Sequence, residues 1–331
     1  MINPKSNLVK DLFLGRNEKL SFRDALGEAL VELGASNEKI FVLSSDVALS
    51  TKASYFAQKF PDRFVQVGVA EQVLACIASG IANYGKIPFI CAYAVFSPGR
   101  NWEQIRTTIA LNNFPVKIIG THAGLNVGAG GSTHQALEDL ALMRVLPNMV
   151  VIAPCDSLET RKAVMAVADN NKPSYIRIPR EPFPQITTSD SPFKIGNAEI
   201  FWEDKDPQVA IIACGPLVYE ALKAAKELAK SKIPSIVVNC HTIKPLDQQT
   251  LIHVAKLTGT IVTAEEHQIS GGLGSAVAEV LTKNFPVPIE FIGMLDLFGE
   301  SGKPEELMQK YQMKAPSIIS AAKKVIKRKN S

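Results

Sequence analysis

Residues 67–96 read VGVAEQVLACIASGIANYGKIPFICAYAVF, and this stretch decides how the chain folds. Val67 to Gly80 holds a single acid, Glu71, among small and apolar residues, and reads as a helix that Glu71 opens. Ile87 to Phe96 is an apolar run of strand type. A helix feeding directly into a continuous apolar strand is the unit of a mainly parallel sheet covered on both faces, so the fold class is α/β.

The same alternation extends in both directions. Upstream, Ser21 with Asp24 starts a helix whose Phe22, Ala25, Leu26, Ala29, Leu30 and Leu33 recur at three and four, followed by strand-like IFVLSS at Ile40. Downstream come VKIIGTHA at Val116, a helix from about Gln135, VVIAP at Val150 and SYIRIP at Ser174. Residues 182–196, PFPQITTSDSPFKIG, have no period and many turn formers, as a linker does. A second alternation follows: VAIIACG at Val209, a helix from Val218, SIVVNC at Ser235, TIVTAEE at Thr260, a helix from about Gly274 and IEFIGM at Ile289. The expectation is two consecutive three-layer α/β domains with mainly parallel sheets, over residues 1–184 and 197–331, joined by a linker at 185–196.

Composition excludes several classes. At 331 residues, 46% hydrophobic and 21% charged, the chain suits two soluble domains with sizeable cores. Its apolar runs are too short to span a membrane and its N-terminus has no apolar signal core, so a cytoplasmic protein is expected. The net charge of +4 belongs to the tail: seven Lys or Arg and no acid follow Glu306, and setting them aside leaves −3. KKVIKRKNS thus reads as the solvated end of a last helix rather than a nucleic-acid site. Cys76, Cys91, Cys155, Cys214 and Cys240 are scattered and odd in number, and read as reduced core thiols, with no disulfide framework and no metal site.

Open sheets bind ligands beyond the carboxyl ends of their strands. Three polar groups fall there: Ser45, Asp46 and Ser50 after IFVLSS; Tyr93 and Phe96 in AYAVFSPGRNW; and His122 with His134 around GTHAGLNVGAGGSTHQ. Taken singly, each has an ordinary structural reading as cap, core or turn residue. Glu71 likewise has two readings. A first-turn acid is favoured by the helix dipole, and a half-buried carboxylate can serve as a proton partner for something bound.

Taken together they form a pattern. An Asp-Val turn, then PDRFVQVGVAEQ, then YAVFSPGRNWEQIR, then GTHAGLNVGAGGSTHQALEDLALMRVLPNM resembles the pyrimidine-binding domain of transketolases. TAEEHQISGGLGSAVAEVL is similar to the same family's C-terminal domain, and the resemblance runs from about Leu20 to Ala322. It implies thiamine diphosphate as cofactor, with Glu71 hydrogen-bonding a nitrogen of its aminopyrimidine, Phe96 stacking on that ring, Tyr93 lining the pocket and Asp46 near the thiazolium. It also implies Ser50, His122 and Arg180, with Arg177 as the alternative, at the phosphate of a sugar substrate. His134 matches a histidine that contacts the donor's reacting end and assists proton movement.

Two departures shape the reading. Many transketolases carry an acid two residues before the histidine step, touching a sugar hydroxyl; in GAGGSTH that place is Gly130, which leaves substrate preference open. The Gly-Asp-Gly motif whose aspartate holds Mg²⁺ against the diphosphate does not occur. SGGLGS at Ser270 reads as close helix–sheet packing, and Glu265, Glu266 and His267 as surface or interface residues whose neighbours face opposite ways. The resemblance therefore implies the C-terminal subunit of a split transketolase of pentose phosphate type, inactive alone. It would share thiamine diphosphate and Mg²⁺ with an N-terminal subunit in a dimer or heterotetramer acting on sugar phosphates. The beta subunit of a 2-oxo acid dehydrogenase, a deoxyxylulose phosphate synthase-like enzyme and a non-catalytic regulatory homologue are the alternatives.

Overall fold

The computed structural model describes residues 1–14 and 18–329. A seven-stranded sheet runs in the order Thr242–Lys244, Val150–Ile152, Ser174–Arg177, Lys117–Thr121, Ile87–Tyr93, Ile40–Ser44 and Phe64–Gln66. Every neighbouring pair is parallel except the first, where Thr242 pairs antiparallel with Ile152. That edge strand comes from the second half of the chain. The two units therefore share a sheet.

Successive residues of the central strands enter opposite layers. Ile118 joins Leu74, Ala78 and Ile105 on one face, while Ile119 joins Leu26, Leu30 and Val164 on the other. Burial on both faces is what makes these strands apolar throughout. The helix Phe22–Ser36 is capped as its sequence predicts, Ser21 Oγ accepting from Asp24 N at 3.2 Å, and it buries Phe22, Leu26, Ala29, Leu30 and Leu33. The Glu71–Asn83 helix buries Glu71, Leu74, Ala75 and Ala78 against the opposite layer.

The second sheet has the order Ile289–Met294, Ile261–Gln268, Val209–Ala213, Ser235–Asn239 and Glu199–Glu203, parallel except for the last strand. Helices Leu217–Lys230 and Ala315–Lys329 cover one face. Residues 1–14 lie on this unit, Asn3 N bonding Phe201 O and Leu8 and Leu12 entering its core. Residues 185–187 are tied down by Asp156, whose Oδ2 accepts from Gln185 Nε2, Ile186 N and Thr187 N at 2.8, 2.9 and 2.5 Å. Among the described residues no helix is long and apolar enough to cross a membrane.

Four expectations need correcting. The helix placed from about Gln135 spans Asp139–Arg144, because Ala136 is drawn into a bridge with Ala123. Cys76 is exposed on the Glu71 helix, while the other four thiols are buried. Glu265, Glu266 and His267 are all buried, so the surface half of their reading fails, while the interface half holds for Glu266 and His267, which accept from Asn126 N and Ala141 N of the first unit. The basic tail is only partly solvated: Lys324 and Arg328 pair with Glu290, and Lys329 donates to Thr258 O. Residues 330 and 331 of KKVIKRKNS lie outside the described residues.

Candidate active site

The carboxyl ends of the strands Ile40–Ser44, Ile87–Tyr93 and Lys117–Thr121 deliver their polar residues to one place, beside the N-terminus of the Glu71 helix. The Tyr93 ring stacks on His122 with centroids 3.9 Å apart and on Phe96 at 6.1 Å. His134 meets the edge of Phe96 at 5.4 Å and of Tyr93 at 6.4 Å. Tyr93 Oη donates to Ser50 Oγ at 2.9 Å, which brings the segment after Ser44 into the same group. Glu71, 5% exposed, accepts from Arg100 Nη1 at 3.2 Å, and the Arg100 guanidinium lies 4.1 Å over the Phe96 ring.

Local backbone explains the placement. His122 follows the strand with φ +55, a left-handed conformation that costs a β-carbon residue energy and that turns the imidazole back over Tyr93. Thr121 Oγ1 lies 2.9 Å from His122 Nδ1, and Thr133 Oγ1 2.9 Å from His134 Nδ1, so each ring is oriented by the residue before it. Asp46 is also left-handed, at φ +63, but it stands apart. Its backbone N bonds Gln66 Oε1, and its exposed carboxylate makes no hydrogen bond among the described residues.

The electrostatics favour an anion. His122 is pushed down to about 3, first by burial and then by the neighbouring Arg23, Arg180 and His134, so it is a neutral imidazole at ordinary pH. Burial, then the nearby Arg180, also lowers Arg23. Two guanidinium groups near a neutral histidine are a combination chemically suited to a dianion. Arg180 Nη1 donates to Val127 O at 2.9 Å, whereas Arg177 is fully engaged elsewhere, its Nε reaching both oxygens of buried Asp139 at 3.1 and 3.0 Å.

Arg23, like Arg100, is a residue that the sequence reading missed. It donates to Ser50 O at 2.7 Å from the first turn of its helix. A cation there opposes the helix dipole, and that mismatch was the available signal. SGGLGS at Ser270 serves packing, as read: Glu265 accepts from Leu273 N and Gly274 N at 2.6 and 2.7 Å, and a β-carbon on Gly274 would lie 2.7 Å from Phe291. Among the described residues no group of three or more metal-ligating side chains forms.

Fold and site geometry together define a pair of α/β domains whose polar and aromatic cluster sits at the carboxyl ends of parallel strands. Residues 18–185 match the family description "Transketolase, pyrimidine binding domain" and residues 196–318 match "Transketolase, C-terminal domain". The chain belongs to the transketolase family.

A putative transketolase C-terminal section of Methanocaldococcus jannaschii is 42% identical over 89% of this chain and 93% of its own length. The 6-deoxy-6-sulfo-D-fructose transketolase subunit SqwH of a Clostridium species is 38% identical over 93% of this chain and 95% of its own length. The chain spans about half of an undivided relative, the transketolase of Rattus norvegicus, at 34% identity over 93% of this chain and 49% of that one. A solved structure described as a split gene transketolase, inactive beta4 tetramer, superposes with a TM-score of 0.87 at 45% identity, covering 94% of this chain and 99% of that one.

Proposed function

We propose that this chain is the pyrimidine-side subunit of a two-chain, thiamine diphosphate-dependent transketolase. It moves a two-carbon ketol unit from a ketose phosphate to an aldose phosphate, and it works only with an N-terminal subunit that holds the diphosphate and Mg²⁺. The observation that carries this reading is the pairing of Glu71 and Phe96 around Arg100. A buried carboxylate beside an open aromatic face already accepts a planar, N–H-bearing cation here. An aminopyrimidine asks for the same two things, a carboxylate at its ring nitrogen and an aromatic face.

When bound, thiamine diphosphate supplies the carbon nucleophile that takes up and releases the ketol fragment. The chain's own residues do the rest. Glu71 holds a proton against a ring nitrogen in a site where low dielectric strengthens that contact. Phe96 and Tyr93 would wall the ring, and Asp46, though apart from the aromatic cluster, would lie toward the thiazolium as the family resemblance implies. Arg23 and Arg180 grip the sugar phosphate, with Ser50 and His122 beside them. His134, its ring oriented by Thr133, moves a proton at the donor's reacting hydroxyl.

The subunit division is supported by relatives that share nearly the full length of this chain and are named as subunits or sections. The beta4 tetramer of the split relative is described as inactive, in keeping with a site that needs a second kind of chain. Substrate identity is less constrained, since one such relative acts on 6-deoxy-6-sulfo-D-fructose and another, from Phocaeicola vulgatus, on apulose-4-phosphate.

The decisive experiment mixes this chain with a Gly-Asp-Gly-bearing N-terminal subunit, thiamine diphosphate and Mg²⁺, and measures ketol transfer from ketose phosphates to aldose phosphates. Transfer in the mixture and in neither chain alone is the expected result. Normal cofactor binding with no transfer from any ketose donor would instead mark a non-catalytic homologue.

A further inference from the structure

Glu266 belongs to the second unit, yet its carboxyl reaches into the loop that joins the two site histidines. Its Oε1 accepts from Asn126 N at 2.7 Å, and its side chain is almost wholly buried. Gly124, at φ +79, makes room for it, since a β-carbon there would sit 2.5 Å from both the carboxyl carbon and Oε1. The contact continues outward: Asn126 Oδ1 accepts from Glu181 N at 2.5 Å, and Val127 O accepts from Arg180 Nη1 at 2.9 Å. Glu266 is itself fixed by Arg177, whose Nη2 donates to Glu266 O at 2.7 Å while its Nε holds Asp139.

We propose that Glu266 is a positioning residue: through the Gly124–Val127 turn it sets where His122 and Arg180 stand, and so couples the second domain to the phosphate end of the site. The inference rests on the phosphate assignment made above. It gives the second domain a part in substrate binding that the cofactor pocket alone does not require.

The charge of Glu266 is not what the turn uses. Burial pushes the carboxyl up to about 7, and Oε2 has no hydrogen-bond partner among the described residues, so the working atom is the acceptor Oε1. An amide carries the same acceptor in the same place. Glu266→Gln therefore keeps the function, and Glu266→Ala removes it.

The test uses the assembled two-chain enzyme with glycolaldehyde as acceptor and two donors, xylulose 5-phosphate and hydroxypyruvate, which has no phosphate. Glu266→Ala is expected to raise KM for xylulose 5-phosphate about ten-fold while kcat/KM for hydroxypyruvate stays within about two-fold, and Glu266→Gln to match the parent on both. Should Glu266→Ala not assemble, Glu266→Asp, one methylene short of the Asn126 amide, is held to the same criterion. Equal losses on both donors, or no change on either, overturn the proposal. Arg180→Ala run in parallel separates the two layers. If it too spares the phosphorylated donor, the phosphate assignment itself fails and the role of Glu266 falls with it.

Discussion

Arg100 Nη1 donates to Glu71 Oε2 at 3.2 Å while the same guanidinium rests 4.1 Å over Phe96, so one half-exposed side chain covers both groups proposed to hold the cofactor ring. A cation–π contact with partial desolvation is worth about 1 kcal/mol, and the bound ring has to displace it. Arg100→Ala is expected to tighten thiamine diphosphate binding by the assembled enzyme about five-fold, since about 1.4 kcal/mol is a factor of ten. Calorimetric titration checks this; unchanged or weaker binding would show that Arg100 helps to hold the cofactor.

On the proposed function Glu71 serves proton chemistry rather than stability. Its hydrogen-bonded side-chain partner is half exposed, and such a pair contributes at most about 1 kcal/mol to folding. Glu71→Gln should lower kcat by about 100-fold or more, as loss of a general acid–base group does, while the thermal midpoint moves by no more than a few degrees. Turnover at the parent rate would remove Glu71 from the mechanism.

Gly130 stands where many transketolases have an acid, and the space is not free. A β-carbon there would come within 2.8 Å of Val127 Cγ1 and 3.3 Å of His134 Cβ. Gly130→Asp alone should therefore lower kcat/KM by displacing His134. Val127→Ala combined with Gly130→Asp should recover at least part of that loss, because it removes the nearest obstacle. Steady-state kinetics on the single and double variants decide it.

Lys117 is fully buried at the start of its strand, its Nζ donating to Asn170 Oδ1 and Lys172 O at 2.7 Å each. Burial lowers it from 10.5 to about 7, Asp169 opposing the shift. Between those values the unfolded chain binds the extra proton, so Lys117 makes stability rise with pH from about 7 to 10.5, and its penalty is complete below 7. Lys117→Met should stabilise the chain most below pH 7, the advantage shrinking as pH climbs toward 10.5. Thermal midpoints across that range test the sign.

Of the five thiols only Cys76 is exposed. An aromatic disulfide reagent added to the isolated native chain should release about one fast equivalent, and Cys76→Ser should abolish the fast phase while leaving the slow one. Several fast thiols in the native chain would contradict the buried placement of the other four.

Much of the fold was legible because burial on both faces forces central parallel strands to be apolar throughout, and such runs announce themselves. Ile40, Ile87, Val209 and Ser235 each stand at or near a strand start for that reason. Capping was equally visible, since Ser21 and Asp24 are local signals. The Gln135 helix start failed because a non-local bridge, Ala123 to Ala136, outcompetes the helix there. Cys76 was misjudged because composition around it is apolar on the exposed face of its helix too, beside Val73.

The chemical identities of the candidate site residues, Glu71, Tyr93, Phe96, His122 and His134, and their order along the chain belong to the sequence, as does the α/β alternation that carries them to strand ends. Tertiary structure alone decided that Arg23 joins Arg180 and that Arg177 does not, that a strand from the second half completes the first sheet, and that Glu266 holds the loop between the histidines. The reason is distance along the chain. Periodicity and capping act over a few residues, whereas Glu266 meets Asn126 across 140 positions, and only the packing of two domains brings such partners together.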